Sequence, residues 1–361
     1  MQRRQRAPAG DKGEEEYSVG YFQPIETAGK RSKRMIVAER ELDLAEAELA
    51  EQKRKVTFEI RTRYVEAAAT RDKLEAIDRI AVINKEAFRL LDARVQRDDA
   101  APLDRQMLLV EVNRAEAQRS ILSGLVQTTE VELRRAAGLS SHDPLRLSGL
   151  PAASTIPELT LVELRRRALE MRPDLRAART LSSQSTAELA LAQAQGHPDV
   201  TLSVQYARRY SQFEDPIRMA GPGSPLLLQD RDNVLTLGVS VPLQTKKRNQ
   251  GNVESASARR TAAQLRSQHL ELTAELEVEA AWARYEAARK TIDIFHRGIV
   301  DESSKNLSII RQAYELGQLR LMDVLNEQRK QLEIQMNYID AQAELLRSAA
   351  ELERAAGGEL R

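Results

Sequence analysis

The chain has 361 residues, 55 Lys and Arg against 54 Asp and Glu, 4% aromatic and 30% charged residues, and no Cys. The balanced charge excludes a general attraction to nucleic acid, and the lack of Cys excludes disulfides, thiolate catalysis, thiolate metal sites and a lipid-modified Cys. Few aromatics with a surplus of Ala, Leu, Arg, Glu and Gln belong to long, surface-rich helices rather than to a compact enzyme core.

Residues 1–16 are polar, have no apolar stretch of the signal-peptide kind, and read as a disordered lead-in. Nowhere do 18 apolar residues run together, so no transmembrane helix is expected. "YSVGYF" (Tyr17–Phe22) is a strand. From about Ala28 to Arg97 there is no Pro, and no Gly after Gly29; a helix of that length would span roughly 100 Å. Met35, Leu42, Leu49 and Val56 fall seven apart along it, a coiled-coil-like seam. A turn, "ARVQRDDAAPLD" (Ala93–Asp104), leads into a return helix from about Pro102 to Ala137. Pro102 suits its first turn, Asp104 complements its dipole, and Gly138 has the character of a C-terminal cap.

Residues 139–159, rich in Pro, Ser and Gly, form a surface linker. "TLVE" (Thr160–Glu163) is a capping box opening a helix, and Pro173 in "RPDLRAAR" breaks it or starts the next, which runs to about Gln195. Two strands follow, Asp199–Ala207 and Val234–Leu243. Val200, Leu202, Val204 and Tyr206 alternate with Thr201, Ser203, Gln205 and Ala207; Leu235, Leu237, Val239 and Val241 alternate with Thr236, Gly238 and Ser240. One apolar and one small-polar face suit a membrane barrel with a wet interior; a soluble hairpin packed on helices would show the same alternation. A long loop containing "GPGSP" (Gly221–Pro225) is expected between Arg208 and Asn233. A second long helix from Lys246 to Leu316, the turn "AYELGQLRLMDVL" (Ala313–Leu325) and a return helix from Leu319 to Ala356, ended by Gly357, complete the chain.

The halves resemble each other. "ELRRAAG" (Glu132–Gly138) recurs 219 residues on as "ELERAAG" (Glu351–Gly357), and Asp104 matches Asp323 at that offset. Pro24, Thr27, Glu59 and Arg79 match Pro242, Thr245, Glu277 and Arg297 at 218. The one-residue slip lies between Arg79 and Asp104, where the turn is its natural place. Residues 17–138 and 160–357 are thus two copies of one strand–long helix–turn–return helix unit.

No catalytic motif is present. The four histidines (His142, His197, His269, His296) have no partner at metal-ligand spacing, and nothing calls for a cofactor or for enzyme activity. Two basic runs, "GKRSKR" (Gly29–Arg34) and "TKKR" (Thr245–Arg248), hold equivalent places; they read as solvated helix starts, as a nuclear-localisation or nucleic-acid signal, or as Lys30, Arg31, Lys247 and Arg248 set beneath a barrel near lipid headgroups.

In the order of its elements and in "RPDLRAAR", "LGVSVPL" and "AYELGQLRLMDVL", the chain from about Tyr17 to Gly357 resembles the TolC-like outer-membrane efflux factors. "QPIETAGKRSKR" (Gln23–Arg34) and "DDAAPLDRQMLLVEVNRAEAQR" (Asp98–Arg119) are more similar to the heavy-metal (Czc/Cus-type) branch. The resemblance implies a mainly α, internally duplicated homotrimer. Its strands would share an outer-membrane β-barrel, and its helices would build a periplasmic tunnel docking onto a periplasmic adaptor and an inner-membrane RND-type pump. It would be a passive conduit for heavy-metal cations. Val200, Leu202, Val204, Leu235, Leu237 and Val239 would face lipid; Tyr314, Gly317 and Leu319, with Asp98 and Asp99 in the other half, would form the adaptor-contacting tip. Asp98 stands where Gly317 does, and Asp tolerates left-handed backbone less well than Gly, so the two tips are expected to differ in shape and charge.

Family members carry four strands per chain, and this sequence has three. Roughly 60 to 100 N-terminal residues, including a signal peptide, a helix and a strand, are therefore expected to be missing, since unpaired strand edges are costly in lipid. The alternatives to the conduit are a soluble coiled-coil scaffold and a non-functional truncated copy.

Overall fold

The structure is a computed structural model that describes residues 14–151, 159–221, 224–242 and 249–360. It divides into two units: Met1–Asp43 with Arg179–Leu265, and Leu44–Ala178 with Arg266–Arg361.

The first unit carries a three-stranded antiparallel sheet in the order β1 (Glu14–Ile25), β2 (Val200–Gly221), β3 (Ser224–Ser240). Glu14–Glu16, expected within a disordered lead-in, belong to β1; the rest of that stretch lies outside the described residues. The long loop expected between Arg208 and Asn233 is instead ladder. Pairs continue through Arg208↔Asn233, Tyr210↔Arg231 and Gln212↔Gln229 to Gly221↔Ser224, with register shifts between Asp215 and Gly221. Backbone hydrogen bonds do not need an apolar face, so a polar stretch can extend a hairpin that the side-chain pattern ends early. Gly238 is required by close approach, because a Cβ there would stand 2.6 Å from the Ser203 hydroxyl.

Where the strands meet the helices, β1 leads into helix α1 (Lys30–Val95), and helix α4 (Pro173–Gln195) leads into β2. Thr27 and Lys30 hold this junction. The Thr27 N–H donates to Asp199 Oδ1 at 2.9 Å and its hydroxyl to the Pro198 carbonyl at 2.6 Å, while Lys30 Nζ donates to the His197 carbonyl and to Asp199 at 2.7 and 2.8 Å. Lys30 is buried, which corrects its expected place among lipid headgroups: its charge is taken up within the chain. The Lys30 hydrogen bond holds the Asp199 carboxyl below its ordinary range. Arg31 is exposed; Lys247 and Arg248 lie outside the described residues. On α4, Leu189 and Ala192 pack with Val253 and Ala256 of helix α5 (Gln250–Ile294).

The second unit holds the rest of α1, α2 (Pro102–Ala137), α3 (Leu161–Met171), α6 (Val300–Glu315), α7 (Leu321–Ala355) and the parts of α4 and α5 outside the first unit. Pro102 is in the first turn of α2, and the Thr160–Glu163 capping box opens α3. The core is a string of small clusters. Leu164, Val278, Tyr285 and Leu352 join α3, α5 and α7; Val65, Ala69, Ile339 and Ala343 join α1 and α7; Ile77, Ala81 and Ala115 join α1 and α2. Alanines at these contacts let the helix axes come close. Met35, Leu42, Leu49 and Val56 are 64%, 61%, 57% and 46% exposed, so the described residues leave the coiled-coil-like seam of α1 largely uncovered.

The "RPD" triplet is an ionic clamp. Arg172, 2% exposed, donates to both oxygens of Asp174, to Glu277 on α5 at 2.8 Å and to the Ala355 carbonyl of α7. Arg54 of α1 lies 3.5 Å from Asp174, pairs with Glu51 and donates to the Arg354 carbonyl. Burial pushes the Asp174 carboxyl up, but the Arg172 hydrogen bonds and the charges of Arg172 and Arg54 carry it below the ordinary range.

The two long helices differ. α1 is continuous, whereas the helix expected from Lys246 to Leu316 starts at Gln250 and is broken by a kink at Phe295–Ile299, where Gly298 leaves helical backbone with φ 131°. The turn closures already match at 219 residues, whereas Arg79 and Arg297 match at 218, so the slip of one residue lies between Arg297 and the turn, in the stretch that begins with this kink.

Candidate functional site: two helix tips and an exposed sheet

Both tips lie in the second unit. At the first, the Asp98 N–H donates to the Val95 carbonyl at 3.1 Å and the Asp99 N–H to the Arg94 carbonyl at 2.9 Å. At the second, the Gly317 N–H donates to the Tyr314 carbonyl and the Gln318 N–H to the Ala313 carbonyl, both at 2.9 Å. The same paired closure ends α2 at Gly138 and Leu139 and follows α7 at Gly357 and Gly358. Asp98 has φ 62° and Gly317 φ 73°. The expected difference in backbone shape is therefore absent: this left-handed closure satisfies the orphan carbonyls of the helix end, and Asp98 adopts it as Gly317 does. The difference in charge stands, with exposed Asp98 and Asp99 on one side and uncharged Gly317 and Gln318 on the other. Tyr314 and Leu319 are half-buried, so part of each side chain stays open.

The tips are held side by side. Leu91 of α1, Leu108 of α2 and Leu325 of α7 form one cluster, with Ala100 and Leu321 packed on it. One helical step further from the turns, a polar layer crosses the same three helices: Gln328 donates to Asn84 at 3.0 Å, and Arg329 pairs with Glu111. Asn84, Gln328 and Glu111 are all buried. These residues escape sequence reading because helices this rich in polar residues give no sign of which ones turn inward. Between α1, α6 and α7, a polar groove of about 450 Å³ is lined by Arg79, Ser304, Arg311 and Gln331 among others. At the kink, Phe295 meets Tyr338 of α7 tilted at 5.7 Å and His296 meets it edge-on at 5.9 Å.

In the sheet of the first unit, register places two unlike faces. One carries Val19, Tyr21, Leu202, Val204, Tyr206, Leu235, Leu237 and Val239, with Gln23 beside Leu202; the other carries Ser18, Gly20, Thr201, Ser203, Gln205, Thr236 and Gly238, together with the larger Phe22 and Val234. Leu202, Val204, Leu235, Leu237 and Val239 are exposed, with Leu237 and Val239 at 72% and 70%, while Val200 at the helix-side end is half-buried. Tyr17 and Tyr21 add exposed aromatic rings to the apolar face. A contiguous apolar face of this size is unstable in water unless something covers it. Among the described residues, no helix is long and apolar enough to cross a membrane, and no cluster of three metal-ligating side chains occurs.

The chain is similar to known proteins along most of its length. It is 22% identical to the cobalt-zinc-cadmium resistance protein CzcC of Cupriavidus metallidurans, over 92% of this chain and 75% of that protein. It superposes on the outer membrane protein VceC of Vibrio cholerae with a TM-score of 0.71 at 20% identity, covering 95% of this chain and 80% of that one. On CusC the TM-score is 0.69 at 14% identity, covering 96% and 83%. The family described as outer membrane efflux protein matches residues 2–139 and 164–358. With that match spanning nearly the whole chain, this protein is a member of the outer membrane efflux protein family.

Proposed function

We propose that this chain is the outer-membrane conduit of a tripartite export system, a passive water-filled path for heavy-metal cations with no catalysis of its own. The observation that carries the reading is the sheet: one face apolar and exposed, the other mostly small and polar apart from Phe22 and Val234, with no covering element on the apolar side among the described residues. Val200, Leu202, Val204, Leu235, Leu237 and Val239 face lipid in this reading, and the Thr and Ser face lines water. Three strands cannot close a barrel by themselves, so copies must share one; the assembly we take is a homotrimer, and the largely uncovered seam of α1 is a surface for a neighbouring copy. Residues 17–138 and 160–357 are its two repeats, joined by the linker 139–159. The two tips, with Tyr314, Gly317, Leu319, Asp98 and Asp99, meet the periplasmic adaptor that couples the channel to an RND-type pump. The likeness to a cobalt-zinc-cadmium resistance protein supports divalent metal ions as cargo.

The test is fractionation of the expressed protein. A trimeric, detergent-requiring species in the outer membrane, together with restored growth of a conduit-deleted strain on cobalt, zinc or cadmium salts, is the expected result. A water-soluble species would contradict the conduit, and channel insertion without metal tolerance would contradict the cargo.

A further inference from the structure

Beyond the apolar rows, the face of the sheet that carries them changes character. The next two rows toward the hairpin end are Tyr17–Arg208–Asn233 and Glu15–Tyr210–Arg231. The Arg208 guanidinium lies 4.9 Å and that of Arg231 5.6 Å from the Tyr210 ring centroid, so one aromatic ring gathers two cations. Both arginines are exposed, and neither has a carboxylate partner among residues whose side chains are described. On the opposite face of the same rows, Arg209 pairs with Glu16 at 3.3 Å. Among the described side chains, the arginine on the polar face is neutralised and the two on the apolar face are not.

The geometry points to a binding site for the phosphate-bearing headgroups of membrane lipid, built from Arg208, Tyr210 and Arg231 at the outer edge of the lipid-facing band. This rests on the barrel reading of the sheet. At about 3.4 Å per residue, Arg208 lies roughly 27 Å along the strand from Val200, close to the height of the apolar band of a membrane barrel once strand tilt is allowed for. A charged side chain facing lipid is costly at mid-bilayer and nearly free at the edge, so two adjacent arginines mark the edge. Their mutual repulsion is relieved by an anion, and the planar guanidinium fork matches a phosphate with paired hydrogen bonds. Tyr17 and Tyr210 supply the interfacial rings that flank such bands.

The test uses the full chain in mixed micelles of phosphatidylcholine and phosphatidic acid, with retained lipid counted by native mass spectrometry and entry into phosphatidylcholine vesicles followed separately by flotation. The wild type is expected to retain phosphatidic acid over phosphatidylcholine by about tenfold, the Arg208→Gln/Arg231→Gln protein by less than about twofold, and the Arg208→Lys/Arg231→Lys protein by an intermediate factor. Millimolar inorganic phosphate is expected not to displace the lipid. Equal retention by the wild type and the Gln double variant would overturn the site, and displacement by inorganic phosphate would overturn lipid as its ligand. A wild type that fails to float with vesicles would overturn the barrel reading and this site together, whereas one that floats without lipid preference would overturn the site alone.

Discussion

The two repeats reach the same tip by different helices. In the first, α1 runs without a break to Val95 and turns at Asp98; in the second, the equivalent helix is interrupted at Phe295–Ile299 before turning at Gly317. The turns close with matching hydrogen bonds, so the tip geometry was kept while the helix leading to it took up an extra residue. A one-residue change inside a packed helix would rotate everything beyond it by about 100°. In the second repeat the interruption is confined to Phe295–Ile299, with regular helix on both sides, and the tip closure is unchanged.

Deletions break this comparison most severely. Removing Ile80 from α1 should rotate Asn84 and Leu91 off their partners Gln328, Leu108 and Leu325, at a cost of about 5 kcal/mol or more. Removing Gly298 deletes the non-helical residue at the kink and should cost far less, about 1 kcal/mol or less. Chemical denaturation followed by helical circular dichroism measures both; equal losses would mean that the kink does not take up the extra residue.

The next effect concerns the clamp of the second repeat. Arg172→Ala should cost about 3–5 kcal/mol, because Asp174 and Glu277 lose the cation between them. The same cluster sets a pH dependence. Because the Asp174 carboxyl is depressed in the fold, its contribution is fully present above the unfolded value of about 3.9 and is lost as pH falls through the lower folded value. A denaturation series from pH 6 to pH 2 should show this acid loss in the wild type and a shallower one in the Arg172→Ala protein.

The tips give the smallest effects. Gly317→Val places a branched side chain in left-handed backbone and should cost about 1–2 kcal/mol. Asp98→Gly should gain up to about 1 kcal/mol, since the first tip holds the same conformation with a residue less suited to it. Thermal melts of the two variants, shifting in opposite directions, would sharpen the equivalence of the turns; melts shifting the same way would break it.

Much of this architecture was legible in the sequence. The start of β2, the long α1, the return helices, the capping box at Thr160 and the glycines closing α2 and α7 each rest on local chemistry, and they fall where that chemistry puts them. What escaped depends on distant partners or on backbone alone. Lys30 looks like part of a basic run until it meets Asp199, far along the chain. The strand ladder beyond Arg208 has no apolar alternation to announce it, and Tyr210 with its two arginines lies in that stretch. The extra residue was visible as a slip between the halves, but a loop is the ordinary place for a slip, and only the matching turn closures move it into the helix before the turn.

The central claim, that the sheet sits in a bilayer with one face to lipid and one to water, can be tested directly because the chain has no Cys. Single variants Leu237→Cys and Thr236→Cys, on opposite faces of β3, can each carry one fluorophore in protein reconstituted into vesicles. The account predicts that brominated lipid chains quench the probe at 237 and not at 236, and that aqueous iodide does the reverse. Equal iodide quenching at both positions, with no effect of brominated lipid at 237, would contradict it.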